Sequence, residues 1–163
     1  MFPNNSGYLT EKEITAYHES GHTLIALAHP EHFEVKYVTI KKRGHTLGHT
    51  MTIKKKANPR LDVLLSFGGQ AAQSFLADNN KMDPKKIKEG CSDDIRNAKN
   101  AFQRIQPPKP KQLDFYLKET KQIIEKNQKV LKIIAQRLIE KPNETIRKEE
   151  LEDIIKKNPI SLN

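Results

Sequence analysis

Thr10-Glu11-Lys12-Glu13-Ile14-Thr15-Ala16-Tyr17-His18-Glu19-Ser20-Gly21-His22-Thr23-Leu24-Ile25-Ala26-Leu27-Ala28-His29-Pro30 is the most strongly patterned stretch of this 163-residue chain. Thr10 with Glu13 forms a capping box, in which the threonine oxygen accepts from a free first-turn amide and the glutamate reaches back. Apolar residues then recur at Ile14, Tyr17, Leu24, Ile25 and Ala28, the spacing of one helical face. Pro30 disfavours helical geometry at His29, so the helix is expected to end near there. Within it stands His18-Glu19-Ser20-Gly21-His22, the pattern H-E-x-x-H. Residues four apart lie one above the other on a helix, so both imidazoles can converge on one metal ion. Neutral nitrogen donors suit Zn²⁺, and a catalytic zinc site takes three protein ligands with the fourth position left to water. Zinc brings such a water to a pKa of about 7, and Glu19 stands where it can take the proton and deliver it to a leaving amine.

A third ligand must come from elsewhere. The extended signature H-E-x-x-H-x-x-G-x-x-H fails, because Ile25 and Ala28 occupy its glycine and third-histidine positions. A carboxylate is the natural candidate, and the best-placed run is Gly90-Cys91-Ser92-Asp93-Asp94, at the start of another helix. Amides of a first helical turn favour the ionised carboxylate that a metal needs.

Outward from this helix, Val35 to Ile40 and Thr46 to Ile53 are rich in β-branched and aromatic residues around Lys41-Lys42-Arg43-Gly44, which predicts a β-hairpin. Asn58-Pro59 opens a second helix as cap and first residue. Gly68-Gly69 inside it costs about 1 kcal/mol per glycine against alanine, so another backbone is expected to pack closely there. Asp78 to Glu89 reads as a loop. Ser92 is expected to cap a third helix, which Pro107-Pro108-Lys109-Pro110 stops. One long amphipathic helix should follow, with Leu113, Leu117, Ile124, Leu131, Ile134 and Leu138 on one stripe, then a short helix from Glu149 to Lys157. The expected fold is mainly α with a small β-hairpin or sheet (α+β). Residues 1–107 would form the zinc-site region, and 108–163 a C-terminal helical part of the same domain.

Composition narrows the function. One cysteine excludes an internal disulfide framework and fits a reducing compartment. No run approaches the ~18 apolar residues of a membrane span. The start, Met1 to Gly7, lacks a signal-peptide pattern, so a cytoplasmic location is expected. The net charge of +9 could attract an anion, yet only 6% aromatic residues, no Trp and no base-recognition motif argue against nucleic acid. His45 and His49, an even number apart on the expected strand, share a face and are candidates for the cleft. The lysines around the hairpin read by default as a solvated surface, and would favour acidic or phosphorylated polypeptides if it lines that cleft. Cys91 is read as a small buried residue.

The chain resembles the peptidase half of the FtsH-type AAA proteases. Ala16-Tyr17-His18-Glu19-Ser20-Gly21-His22-Thr23-Leu24 is similar to that family's A-Y-H-E-A-G-H-A-L. Val38-Thr39-Ile40, Arg43-Gly44, Leu47-Gly48 and Thr50-Met51 follow its V-T-I…R-G…L-G-x-T-M. Gly68-Gly69-Gln70-Ala71-Ala72 resembles G-G-R-A-A, and Gly90-Cys91-Ser92-Asp93-Asp94-Ile95 resembles G-A-S-N-D-I. Glu144-Thr145-Ile146 with Glu149-Glu150-Leu151 is similar to the closing helix. The resemblance implies Asp94 as third zinc ligand beside His18 and His22, Glu19 as general base, and endopeptidase action on extended chains. It also implies hexamers in which an ATPase ring feeds the zinc sites. No G-x-x-x-x-G-K-[ST] loop occurs here, so the expectation is a peptidase without an ATPase of its own, with room for a separate ATPase partner. Where the family carries acidic residues after G-G-R-A-A, this chain has Gln73 and Ser74. Glutamine can orient a ligand histidine without the charge, so affinity or rate would fall by roughly 10–100-fold. The alternative is a zinc-binding regulatory or scaffold domain that has lost turnover.

Overall fold

Two helices that cross on glycine carry the frame of the protein. The computed structural model describes residues 7–106 and 112–163; Met1 to Ser6, most of the leader region considered above, and Pro107-Pro108-Lys109-Pro110 with the expected 107/108 boundary lie outside them. Helix α1 (Glu11–Leu27) begins at Thr10, whose Oγ1 accepts from the Glu13 amide while Glu13 accepts from the Thr10 amide, so the capping box forms as read. Helix α2 (Pro59–Asp78) begins at Asn58, whose side chain accepts from the Leu61 amide. The two touch at Gly21 and Gly68: a Cβ on Gly21 would occupy the space of the Gly68 carbonyl oxygen, and one on Gly68 would lie 2.7 Å from the Gly21 oxygen. The paired glycines of α2 therefore do admit another backbone.

Strands β1 (Phe33–Thr39) and β2 (His49–Lys54) pair antiparallel as the expected hairpin, and Gly44 takes a left-handed φ of +58° in the connection. A bulge at Lys36 breaks the register between Val35 and Tyr37. It shifts the inward parity of β1 from Phe33 and Val35 to Val38 and Ile40, which are all buried. On β2 the residues opposite them, Thr50, Thr52 and Lys54, then face the helices, while His49, Met51 and Ile53 face away. A third strand, β3 (Thr145–Arg147), pairs antiparallel with the other side of β1, giving the order β2-β1-β3. The likeness of Glu144-Thr145-Ile146 to part of a closing helix is thus corrected: these residues precede it as an edge strand, and Ile146 is fully buried beneath the sheet.

The C-terminal half departs from the sequence reading in one more place. The single long helix is two, α4 (Leu113–Lys126) and α5 (Gln128–Glu140), broken at Asn127. Asn127 is buried; its amide group donates to the Ile123 and Ser161 carbonyls, and its Oδ1 accepts from the Ser161 amide. Bonding of a buried asparagine to backbone in two directions fixes the break and anchors the chain end. Helix α6 (Lys148–Lys157) closes the fold against α5. Helix α3 (Ser92–Gln103) ends before the proline run, and Cys91, not Ser92, stands at its cap position without a capping side chain.

One apolar core joins these parts. Leu24 and Ile25 of α1, Leu64 of α2, Ile124 of α4, Leu131 and Ile134 of α5, and Leu151 of α6 are all fully buried in it. Each such side chain contributes roughly 1.5–3 kcal/mol of transfer free energy. The chain is mainly helical with a small antiparallel sheet, as the sequence implies.

Gly21→Ala should lower the unfolding free energy by about 1–3 kcal/mol or more, since no side-chain adjustment relieves a clash with backbone. Gly44→Ala, with nothing within 4 Å of its Cβ, should cost only the roughly 1–2 kcal/mol of a left-handed non-glycine residue. Urea unfolding of both variants checks this ordering.

Candidate metal centre

Three side chains from two helices meet beside the glycine crossing. His18 and His22 come from one face of α1, and Asp94 from the first turn of α3. His18 Nε2 lies 3.0 Å from Asp94 Oδ2, His22 Nε2 lies 3.1 Å from the same oxygen, and the two Nε2 atoms are 3.1 Å apart. Bonds of about 2.0–2.1 Å at the tetrahedral angle would set three ligand atoms about 3.3 Å apart, close to this nearly equilateral triangle.

The other ring nitrogens are already committed. His22 Nδ1 donates to the Leu65 carbonyl at 2.8 Å, and His18 Nδ1 donates to Gln73 Oε1 at 2.6 Å, both acceptors on α2. Assigned from these acceptors, the protons sit on Nδ1, and both Nε2 atoms turn lone pairs toward Asp94. Three acceptors at such separations repel one another unless a cation lies among them, so the cluster fits a metal ion and could hold one. Without an ion, a proton on His18 Nε2 takes the place of that cation and faces Asp94. Burial disfavours charge on His18, but Asp94, with Cys91 and Glu19, raises its pKa well above the usual histidine value. Burial pushes against ionised Asp94 too, yet His18 and His22 hold its carboxyl well below the usual carboxylate range.

Local packing explains why these side chains can meet. A Cβ on Gly69 would lie only 2.4 Å from His18 Nε2, so glycine there gives the imidazole its seat on α2. Cys91 is fully buried; its thiol reaches Gln73 Oε1 at 3.2 Å and the Ile87 carbonyl at 3.1 Å. It therefore steadies the amide that holds His18 and stands outside the triangle of ligand atoms.

Glu19 is 8% exposed and leans toward the sheet, where Thr50 Oγ1 donates to its Oε2 at 2.9 Å. Thr50 also lies 3.3 Å from Thr23 Oγ1, whose hydroxyl donates to the Glu19 carbonyl. Gly48 passes against the Glu19 side chain, since a Cβ there would lie 2.8 Å from its Cγ. Glu19 Oε1 has no hydrogen-bond partner among the described residues.

Of the residues singled out in the sequence, His18, Glu19, His22, Gln73 and Asp94 gather here. His45 and His49 do not share a strand: β2 begins at His49, and His45 lies in the exposed connection. His49 stacks edge-on to Tyr37 on the outward face of the sheet, opposite to Thr50. Thr50 was missed as a site residue, because its side depends on register across a bulge that carries no sequence signal of its own.

Residues 8–106 match the model of peptidase family M41. An ATP-dependent zinc metalloprotease FtsH of Rubrobacter xylanophilus is 38% identical over 95 residues, 54% of this chain and 14% of that protein. The FtsH of Rhodococcus erythropolis is 41% identical over 73 residues, 40% of this chain and 8% of that protein. An ATP-dependent zinc metalloprotease FtsH 2 of Phytoplasma mali is 28% identical over 176 aligned residues, 89% of this chain and 25% of its own length. The chain spans no more than a quarter of any of these three relatives.

Two outcomes are expected from metal titration. Uptake of a divalent ion at pH 7 should release protons, because raised His18 gives up its proton to serve as a ligand; the heat should then vary with the ionisation enthalpy of the buffer. Gln73→Ala should weaken binding by about 10–100-fold, and Gln73→Glu should bind more tightly than the parent protein.

Proposed function

The chain belongs to peptidase family M41, and on that premise we propose that it is a zinc-dependent endopeptidase acting on unfolded or extended polypeptides. The observation that carries the reading is the convergence of His18 Nε2, His22 Nε2 and Asp94 Oδ2 from α1 and α3, with Glu19 adjoining in the same helix. In this reading His18, His22 and Asp94 hold Zn²⁺. Bound zinc supplies Lewis acidity toward a carbonyl oxygen and makes a neighbouring water more acidic.

The protein's own residues supply the rest. Glu19 is the general base: Thr50 occupies its Oε2, which leaves Oε1 to take a proton from water and return it to the leaving amine. Thr50 holds the carboxylate in one rotamer, and Gln73 and the Leu65 carbonyl keep both histidines in the tautomer that a metal requires. Strand β2 has a partner on one side only among the described strands, so its free edge can align an extended substrate by backbone pairing. That edge starts beside Glu19, at Gly48 to Thr50. Segments already extended need no unfolding motor; assembly into rings and cooperation with an ATPase belong to the same proposal. No described helix is long and apolar enough to cross a membrane.

The competing reading is a zinc-binding domain without turnover, favoured by neutral Gln73 beside His18. The Glu19–Thr50 pairing favours turnover. Incubation of the zinc-loaded protein with a disordered polypeptide separates the two. Cleavage should stop on chelation, return with zinc, and fall about 10²–10⁴-fold in Glu19→Gln while zinc remains bound. Full zinc occupancy with no cleavage in any buffer would establish the silent domain instead.

A further inference from the structure

Between Glu34 and Asp62 the chain has eight Lys or Arg residues and no Asp or Glu. This stretch is the hairpin, and its free edge strand begins against Glu19. At the near end of β2, Lys42 and Arg43 are exposed in a connection closed by the backbone pairing of Arg43 with Thr46. At the far end, Lys55 and Lys56 are exposed just beyond Lys54, whose own charge is taken by Asp62 at 2.7 Å. Lys55 lies five steps along the chain from Thr50, about 17 Å along a strand.

The opposite side of the metal cluster carries the same sign. Exposed Lys86 and Lys88 flank Ile87, whose carbonyl accepts from the Cys91 thiol next to Gln73. Asp93, an acid of that stretch, is engaged by Arg96, and Glu89 stands exposed beside Lys88. None of these six cations forms an ion pair among the described residues. Exposed Met51 and Ile53 lie between the two cationic ends of β2.

We infer that the site selects acidic polypeptides, namely extended segments with an apolar centre and Asp or Glu on both flanks of the scissile bond. The inference rests on the endopeptidase reading and adds the substrate class. A peptide paired along the free edge of β2 would run in the plane of the sheet, with alternate side chains of its centre alongside outward-facing Met51 and Ile53 and its ends beside Lys42–Arg43 and Lys55–Lys56. Unpaired cations around the site raise the local concentration of anionic chains and disfavour basic ones.

The test uses three peptides with one apolar core and flanks of Glu, Gln or Lys, binding to the zinc-loaded Glu19→Gln protein followed by fluorescence anisotropy. At low salt the Glu-flanked peptide should bind about tenfold more tightly than the Lys-flanked one, and the gap should close as salt screens the charges. The paired reversals Lys42→Glu with Arg43→Glu, and Lys86→Glu with Lys88→Glu, should each shrink the Glu-to-Lys ratio; a thermal melt checks that they fold. Equal binding of the three peptides, or a ratio untouched by both reversals, overturns the inference whether or not the active protein cleaves anything. Tighter binding of the Glu-flanked peptide with no cleavage by the active protein upholds the charge selection and removes the peptidase reading. Displacement of that peptide by single-stranded nucleic acid at equal charge and lower concentration overturns it in favour of a general polyanion surface.

Discussion

The close crossing of α1 and α2 at Gly21 and Gly68 governs the geometry of the whole centre. Helices normally keep their axes 8–10 Å apart because side chains lie between them. Here a missing Cβ on each helix lets backbone meet backbone, and a third glycine, Gly69, gives the His18 ring room against α2. Only at that approach can the Leu65 carbonyl and Gln73 Oε1 reach the Nδ1 protons of His22 and His18. The helix bearing the H-E-x-x-H pattern is thus oriented by its neighbour, and the lone pairs of two histidines point to one place.

The sheet makes a second, separate contribution. The bulge at Lys36 changes the parity of β1 partway along, so both of its ends bury apolar side chains, and Thr50 on β2 comes to face α1. A threonine hydroxyl on the carboxylate of Glu19 follows from that register. With β1 paired on both sides, the sheet's outer edges belong to β2 and β3, and the one on β2 lies beside Glu19. The C-terminal helices supply the core behind this arrangement: α4 packs on α2 and α5 on α1, while buried Asn127 ties the end of the chain to the joint between α4 and α5.

Charge is distributed with the same economy. Close to the metal cluster the polar groups are few and each has a stated partner, which keeps Asp94 ionised despite partial burial. Around it, the connection between β1 and β2 and the end of β2 present lysine and arginine to solvent, and the loop before α3 adds Lys86 and Lys88 with Glu89 as an exposed acid beside them. The buried anion and the exposed cations therefore act at different ranges, the first on an ion and the second on an approaching chain.

Much of this was legible in the residues alone. The capping box, the helical period, the Asn58-Pro59 start of α2 and the hairpin are local signals, and local physics decides them. The spacing of His18 and His22 is likewise a property of one helix, and the demand of Gly68-Gly69 for a nearby backbone follows from glycine's helical cost. What sequence could not supply is whatever depends on register or on contacts between distant segments. The break at Asn127 needs Ser161 across the fold, and β3 needs the free side of β1. Thr50 reaches Glu19 because of an extra residue in the opposite strand, and Cys91 at the helix cap turns its thiol inward to Gln73. A helix or a cap is set within a few residues, whereas the side a strand turns to a catalytic carboxylate is set by packing, and only the tertiary structure decided it.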